Sequence, residues 1–229
     1  MRTLSIIIPC YNEEDTISIV LEKILDIRIP GWNIEVVVVD DCSVDNSRNI
    51  LKEFESRIKV IYGERNKGKG SVVKSGLEIA SGHFILIQDA DLEYFPEEII
   101  FLIKAIRDEN SVVYGSRNLK KDRRKGSFVP RVGVWFLTKL INILYGAKLT
   151  DVWTCYKLFP HHVKDLFVVG RFESEIIFTL GLLRRGHKIH EVSISYNPRD
   201  IAHGKKIRYR DGLIAIWLVL KDRFMKKIW

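Results

Sequence analysis

The chain has 229 residues, 46% of them hydrophobic and 29% charged, and a formal net charge of +8. That length carries one well-buried α/β core, while Cys10, Cys42 and Cys155 are too scattered for a disulfide framework or a thiolate zinc site and fit a reducing compartment. No stretch reaches the ~20 consecutive apolar residues of a membrane span, and Met-Arg-Thr-Leu runs straight into Ser-Ile-Ile-Ile-Pro without a secretory h-region, so a cytoplasmic protein is expected.

Short apolar runs at 4–8, 35–39, 59–62, 84–87 and 112–114 predict strands, and amphipathic stretches near 15–27, 46–56, 71–80 and 97–107 predict the helices between them. Val and Ile runs without polar alternation imply strands buried on both faces, hence a mostly parallel sheet flanked by helices. Pro96 followed by Glu97 and Glu98 has the form of a helix's first turn. Beyond this half the charge becomes uneven: residues 117–131 hold seven Lys and Arg against Asp122, and residues 199–229 hold nine against three acids. Local basicity beside apolar segments suits a phosphate-bearing partner, expected to be a nucleotide and an anionic bilayer rather than a nucleic acid. Two apolar segments, 132–147 around Lys139 and 212–220 ahead of Lys221, Arg223, Lys226 and Lys227, are expected to lie on a cytosolic membrane surface, the alternative being burial in a core or dimer helix. The expected division is a catalytic domain at 1–210 and an amphipathic basic tail at 211–229.

In parallel sheets ligands gather at the carboxyl ends of the strands, and the polar residues of this sequence fall there. Asp89 and Asp91, two apart after an apolar strand, suit a hard divalent cation shared with substrate phosphates. Asp40, Asp41 and Asp45 form a second acidic cluster at a position that serves a ribose or base edge, or an Asx turn capping a helix. Tyr11 offers a face for a base, and Arg117 and Arg131 offer forks for phosphate. The loop from Gly63 to Gly70 has P-loop spacing around Lys69, which raises a nucleotide hydrolase as a rival; however, Gly70 stands where that motif needs Ser or Thr. A dinucleotide-dependent oxidoreductase fits less well, since the turn after the first strand has no glycine.

Taken in order, Pro9-Cys10-Tyr11-Asn12-Glu13, Val39-Asp40-Asp41-Cys42-Ser43-Val44-Asp45, Asn66-Lys67-Gly68-Lys69-Gly70, Gln88-Asp89-Ala90-Asp91-Leu92-Glu93 and Gly115-Ser116-Arg117 resemble the family-2 inverting glycosyltransferases over about residues 4–210. The likeness is to their polyprenyl-phosphate branch, which includes the dolichyl-phosphate mannose synthases. It implies a GT-A fold, a Mg2+ or Mn2+ cofactor, and transfer of a hexose from GDP-mannose or a UDP-sugar such as UDP-glucose to a dolichyl or undecaprenyl phosphate. By motif it places Pro9, Tyr11, Glu13, Asp40 or Asp41, Lys69 and Ala90 at the nucleotide sugar, and Asp89, Asp91 and Glu93 at the metal. Arg117, Arg131, Asp151, Arg199, Lys205 and Lys206 fall to the acceptor phosphate. Thr150-Asp151 is similar to the branch's acceptor region, whereas Val152 to Lys157 departs from the Ser-Gly-Phe of mannose synthases. An acceptor with a sugar hydroxyl, as in polysaccharide synthesis, would need a base such as Asp151, Glu173 or Glu175, and a non-catalytic membrane-binding module is the remaining alternative.

Overall fold

The structure is a computed structural model that describes residues 1–119, 128–198 and 209–225, with side chains from 132 in the second stretch and from 211 in the third. The expected alternation appears as β1 (Arg2–Cys10), α1 (Ile17–Leu25), β2 (Trp32–Asp40), α2 (Ser47–Phe54), β3 (Lys59–Tyr62), α3 (Lys69–Ile79), β4 (Phe84–Ile87), α4 (Ile99–Lys104) and β5 (Val112–Ser116). Pro96–Glu98 forms a 3-10 turn leading into α4. The second half adds α5 (Phe128–Tyr145), β6 (Lys157–Pro160), α6 (Glu173–Arg184), β7 (Ile189–Ser193) and α7 (Tyr209–Phe224).

One seven-stranded sheet has the order β3-β2-β1-β4-β6-β5-β7. The pairs among β1, β2, β3 and β4 are parallel, as is β5 with β7, whereas β6 runs antiparallel to both neighbours. Hydrophobic residues of the central strands serve two layers by simple alternation. Leu4, Ile6, Ile8, Val36 and Val38 pack with Ile17, Val20, Leu21 and Ile24 of α1, spaced at three and four residues, and with α2 and α4. Ile7, Val37 and Val39 face Val72, Val73 and Leu77 of α3 and Phe178 of α6.

Strand β6 was not expected, because four residues next to a polar stretch carry no periodicity. Its direction matters for the site: running against β4, it brings its first residue, Lys157, to the sheet edge where β4 ends. A third apolar cluster joins α5, α6 and α7 through Leu137, Ile141, Ile176, Leu180, Ala215 and Val219. Residues through Phe224 thus belong to the same packed body rather than to a separate tail, because α7 buries Asp222 against Arg184 (2.8 Å) and the Tyr145 hydroxyl.

Phe178 lies between Phe159 and Phe167, with ring centroids 4.6 and 5.4 Å away, and is fully buried. Replacing it with Ala should lower stability by about 3–5 kcal/mol, read as a shift of the urea midpoint at unchanged slope. A loss under about 1 kcal/mol would contradict this account of the α3/α6 layer.

Candidate active site at the strand ends

In the strand order the direction of chain growth reverses between β1 and β4, so the loops after these two strands face each other, the usual place for a ligand in an open α/β sheet. Three non-glycine residues with left-handed backbone stand at strand ends: Asn12 (φ 53°) after β1, Cys42 (φ 64°) after β2 and Leu92 (φ 58°) after β4. Asparagine tolerates this conformation, whereas Cys and Leu adopt it at a cost and persist there only where their surroundings impose it. Such positions concentrate at functional sites.

The β1 and β2 loops are sewn together. Backbone amides of Asn12 and Glu13 donate to the hydroxyls of Ser43 (2.9 Å) and Ser47 (2.9 Å), Val44 donates to Asn12 Oδ1 (2.9 Å), and Asn46 donates to Glu14 Oε2 (2.8 Å). Asp45 accepts from Ser47 N (3.0 Å), the Asx turn at the start of α2. Asp40, expected at the nucleotide, has a fully buried carboxylate held by Ser43 N and by Arg48 Nε at 2.6 Å, so it braces its own loop. Asp41 accepts from the amides of Lys67 (2.7 Å) and Gly68 (2.9 Å). Pro9 and Tyr11 are half-buried, while Glu13 and Ala90 are buried.

Those two Asp41 bonds overturn the P-loop alternative. A P-loop needs free amides around a phosphate, but here a carboxylate already occupies those of Lys67 and Gly68, and the Gly170 carbonyl takes the Ser71 amide at 2.8 Å. Gly70 has a packing cause as well. A Cβ on it would lie 2.6 Å from the Arg171 carbonyl and collide with the Ser174 hydroxyl, which excludes the Ser or Thr of the phosphate-binding motif.

Lys69 instead enters a buried charge network. Its Nζ is 2.6 Å from Asp89 and 2.9 Å from Glu175, and Glu175 also pairs with the wholly buried Lys157 at 2.8 Å. Burial disfavours the Lys69 charge, but Asp89, Cys155 and Glu175 override it and hold the ammonium well above its usual range. Burial pushes the thiols of Cys10 to about 12 and Cys155 well above the ordinary value, so neither is a thiolate nucleophile.

Glu93, expected as a third metal ligand, is hydrogen-bonded to Asp91 and Tyr196. Asp91 Oδ1 accepts the Glu93 amide (3.0 Å), and Glu93 Oε2 accepts the Tyr196 hydroxyl (2.8 Å). Among the described residues no group of three or more His, Cys, Asp or Glu is arranged around an ion. Asp89, Asp91 and Glu93 follow one another at the end of β4, with Asp91 and Glu93 tied to neighbouring groups.

A second ion pair sits at the end of β5. Arg117 grips Asp151 with Nε (2.6 Å) and Nη2 (2.8 Å), and its guanidinium stacks on Tyr196, 4.9 Å from the ring centre. Burial opposes the charge on Arg117, yet Asp151 keeps its pKa well above the ordinary value. Glu191 of β7 in turn accepts from the Thr150 amide (2.8 Å) and the Asp151 amide (3.0 Å). Asp151 thus stands at the end of β5 as the ion-pair partner that fixes Arg117. The side chains of Arg131, Arg199, Lys205 and Lys206 lie outside the described residues.

Residues 5–167 match the family described as "Glycosyl transferase family 2". The chain belongs to glycosyl transferase family 2. A dolichol-phosphate mannosyltransferase of Pyrococcus furiosus is 40% identical over 206 residues, covering 80% of this chain and 58% of that protein. A dodecaprenyl-phosphate galacturonate synthase of Rhizobium johnstonii is 25% identical over 88% of this chain and 60% of its own length. The chain therefore spans about three fifths of these relatives. Glucosyl-3-phosphoglycerate synthase of Mycobacterium tuberculosis, solved with uridine diphosphate, superposes with a TM-score of 0.74 at 18% identity, over 97% of this chain and 80% of that one. The fold of this family-2 chain is thus the GT-A arrangement, with its mixed sheet covered by helices.

Lys157, Glu191 and Tyr196 escaped the sequence reading as site-building residues, and Glu175, named there as a candidate base, is instead a partner of two lysines. Only Glu175 had a signal, an acid opening a helix, and its two lysines are distant in sequence.

The Glu175 carboxylate is opposed by burial, but Lys157 and Lys69 outweigh that and lower its pKa from the ordinary 4.5 to about 2. A folded value below the unfolded one means a contribution fully present above about pH 4.5 and lost as the pH falls through about 2. Glu175→Gln should be less stable than the parent near neutral pH, and the gap should narrow as pH falls through that window. Denaturant titrations at neutral pH and near pH 3 test it, and an undiminished gap at the lower pH contradicts it.

Proposed function

We propose that this family-2 glycosyltransferase transfers a hexosyl group from a nucleotide sugar, GDP-mannose or a UDP-sugar such as UDP-glucose, to a polyprenyl phosphate with inversion. The observation that carries the acceptor class is the state of the acids. Of the three candidates for a general base, Asp151 is buried in the pair with Arg117, Glu175 is buried between two lysines that lower its proton affinity, and Glu173 accepts the Arg171 amide at 3.1 Å. A sugar hydroxyl needs a base to become a nucleophile, whereas a lipid phosphate is already an anion near neutral pH. The two relatives with named dolichol-phosphate and dodecaprenyl-phosphate activities support the same acceptor class.

In the proposed reaction a lipid phosphate oxygen forms the new bond to the anomeric carbon while the bond to the diphosphate breaks, and the nucleoside diphosphate leaves with the electron pair. Arg117, fixed by Asp151 and stacked on Tyr196, orients an incoming phosphate and offsets its charge. Pro9, Tyr11, Glu13 and Asp41 frame the nucleotide, and Arg131, Arg199, Lys205 and Lys206 are assigned to the acceptor side on sequence alone.

The donor set fits a hard divalent cation, Mg2+ or Mn2+. Asp89 and Asp91 supply oxygen ligands two residues apart at the end of β4, with Glu93 two residues further on, and a hard ion held by such acids would share its shell with substrate phosphates and water. The Mycobacterium tuberculosis enzyme of the same fold has been solved with Mn2+ and uridine diphosphate. Such an ion would stabilise the departing diphosphate. No helix among the described residues is long and apolar enough to cross a membrane. The exposed apolar residues of α5 and α7 support a meeting with the lipid acceptor at a membrane surface.

A panel of nucleotide sugars with Mg2+ or Mn2+ and undecaprenyl or dolichyl phosphate in neutral detergent tests the proposal. Metal-dependent glycolipid formation is expected; transfer to sugar hydroxyls with none to lipid phosphate would overturn the acceptor class. Asp89→Asn and Asp91→Asn should each reduce turnover by about a hundredfold or more; the thermal unfolding midpoint should stay close to the parent's in Asp91→Asn and fall in Asp89→Asn, which takes a carboxylate from the buried Lys69. Near-normal rates in Asp91→Asn would remove it from the metal site. Neither ATP nor GTP should be hydrolysed, and phosphate release abolished by Lys69→Ala would restore the hydrolase reading.

A further inference from the structure

An open surface depression of about 460 Å³ lies between the C-terminal half of α5 and the segment that follows it, lined by Lys139, Asn142, Ile143, Lys148, Leu149 and Thr150. Its walls are fixed to one another. The Asn142 carboxamide donates to the Leu149 carbonyl (2.7 Å) and accepts from the Leu149 amide (2.9 Å), and Gly146, at φ 66°, turns the chain back beside the helix. No acid lines it. Lys139 and Lys148 are both exposed, and neither has an ion-pair partner among the described residues.

The surroundings of these two cations identify their ligand. Ile143, one turn along α5 from Lys139, is 79% exposed although it lines the depression, and Trp135 and Phe136, one turn the other way, are 59% and 49% exposed. A soluble phosphate would neutralise the lysines and leave that apolar stripe in water. A phospholipid brings both a phosphate and an acyl boundary, and an in-plane helix with lysines beside large apolar residues matches both.

We propose that this depression seats the headgroup of an anionic phospholipid, with Lys139 and Lys148 on its phosphate and the α5 face from Trp135 to Ile143 entering the bilayer around it. The inference rests on the reading that the acceptor is a membrane lipid. It adds a lipid that is not a substrate and a reason for the orientation of the enzyme. Thr150 lines the depression while its hydroxyl lies 2.6 Å from that of Ser116, the residue before Arg117, so a lipid seated here sets the acceptor side of the active site at headgroup level.

The test is co-sedimentation of the full chain with vesicles of phosphatidylcholine alone and of phosphatidylcholine with 30% phosphatidylglycerol. Lys139→Gln/Lys148→Gln should weaken partitioning onto the anionic vesicles by about tenfold or more, whereas Lys52→Gln/Lys104→Gln, with the same change in net charge on α2 and α4, should change it less than about twofold. Equal losses would mean diffuse attraction and overturn the site, as would absence of binding by the parent. Thermal shift with glycerol phosphate distinguishes the sources: a lysine-dependent rise at low millimolar concentration, without vesicles, would make the ligand soluble and overturn the lipid. Transfer to polyprenyl phosphate in neutral detergent, expected to be unchanged in the Lys139/Lys148 variant, reports separately on the proposed reaction.

Discussion

Two lysines and two carboxylates, Lys69, Lys157, Asp89 and Glu175, meet beneath the carboxyl edge of the sheet, and the placement of everything around the site follows from their need for one another. Lys157 is wholly enclosed and Glu175 nearly so, and a buried ion stripped of its partner costs about 3–5 kcal/mol. The four groups come from the start of α3, the end of β4, the start of β6 and the first turn of α6. Satisfying them fixes these four elements in one arrangement. The antiparallel course of β6 follows the same demand, because only that direction brings Lys157 to the edge where Asp89 stands.

Above this floor the site is assembled by loops that bond to one another rather than to themselves. Asn12, Glu13 and Glu14 of the first loop exchange hydrogen bonds with Ser43, Val44, Asn46 and Ser47 of the second, and Asp41 of the second holds the amides of the third. The left-handed residues Asn12, Cys42 and Leu92 turn the chain at three of these strand ends. A cleft built this way is rigid before a substrate enters, which limits the ordering entropy lost when the substrate binds. The same wiring redirects two acids whose position suggested ligand contact: Asp40 braces Arg48, and Asp151 aims Arg117.

The helical layer of α5, α6 and α7 gives the molecule a second kind of surface. One face of α5 and α7 is core, through Leu137, Ile141, Ala215 and Val219; the opposite face exposes Trp135, Phe136, Ile143, Leu213 and Trp217. The expected burial describes one side of these helices; the other side is exposed, and its contact with a membrane belongs to the proposed function. The proposed polyprenyl acceptor would need an apolar surface next to the site, and Thr150 connects these helices to the loop of Arg117 through Ser116.

The sequence by itself determined the first five strands, the helices between them and the edge of the sheet that carries the chemistry, because Val and Ile runs and amphipathic periods are local signals, and the ordered motifs at 9–13, 39–45, 66–70, 88–93 and 115–117 identified the family. It also located Asp89, Asp91 and Arg117 at strand ends. Tertiary structure alone decided who pairs with whom. Lys69 to Glu175, Arg117 to Asp151, Asp151 to Glu191 and Glu93 to Tyr196 are contacts across 34 to 106 residues, and no local pattern encodes a partner at that distance. Strand β6 was invisible for the same reason: four residues become a strand only when β4 and β5 are both present to bond them. For the P-loop alternative the sequence offered the right spacing around Lys69 and the wrong residue at Gly70, and the structure added the reasons: the Asp41 carboxylate on the loop amides and the collision a side chain at Gly70 would meet.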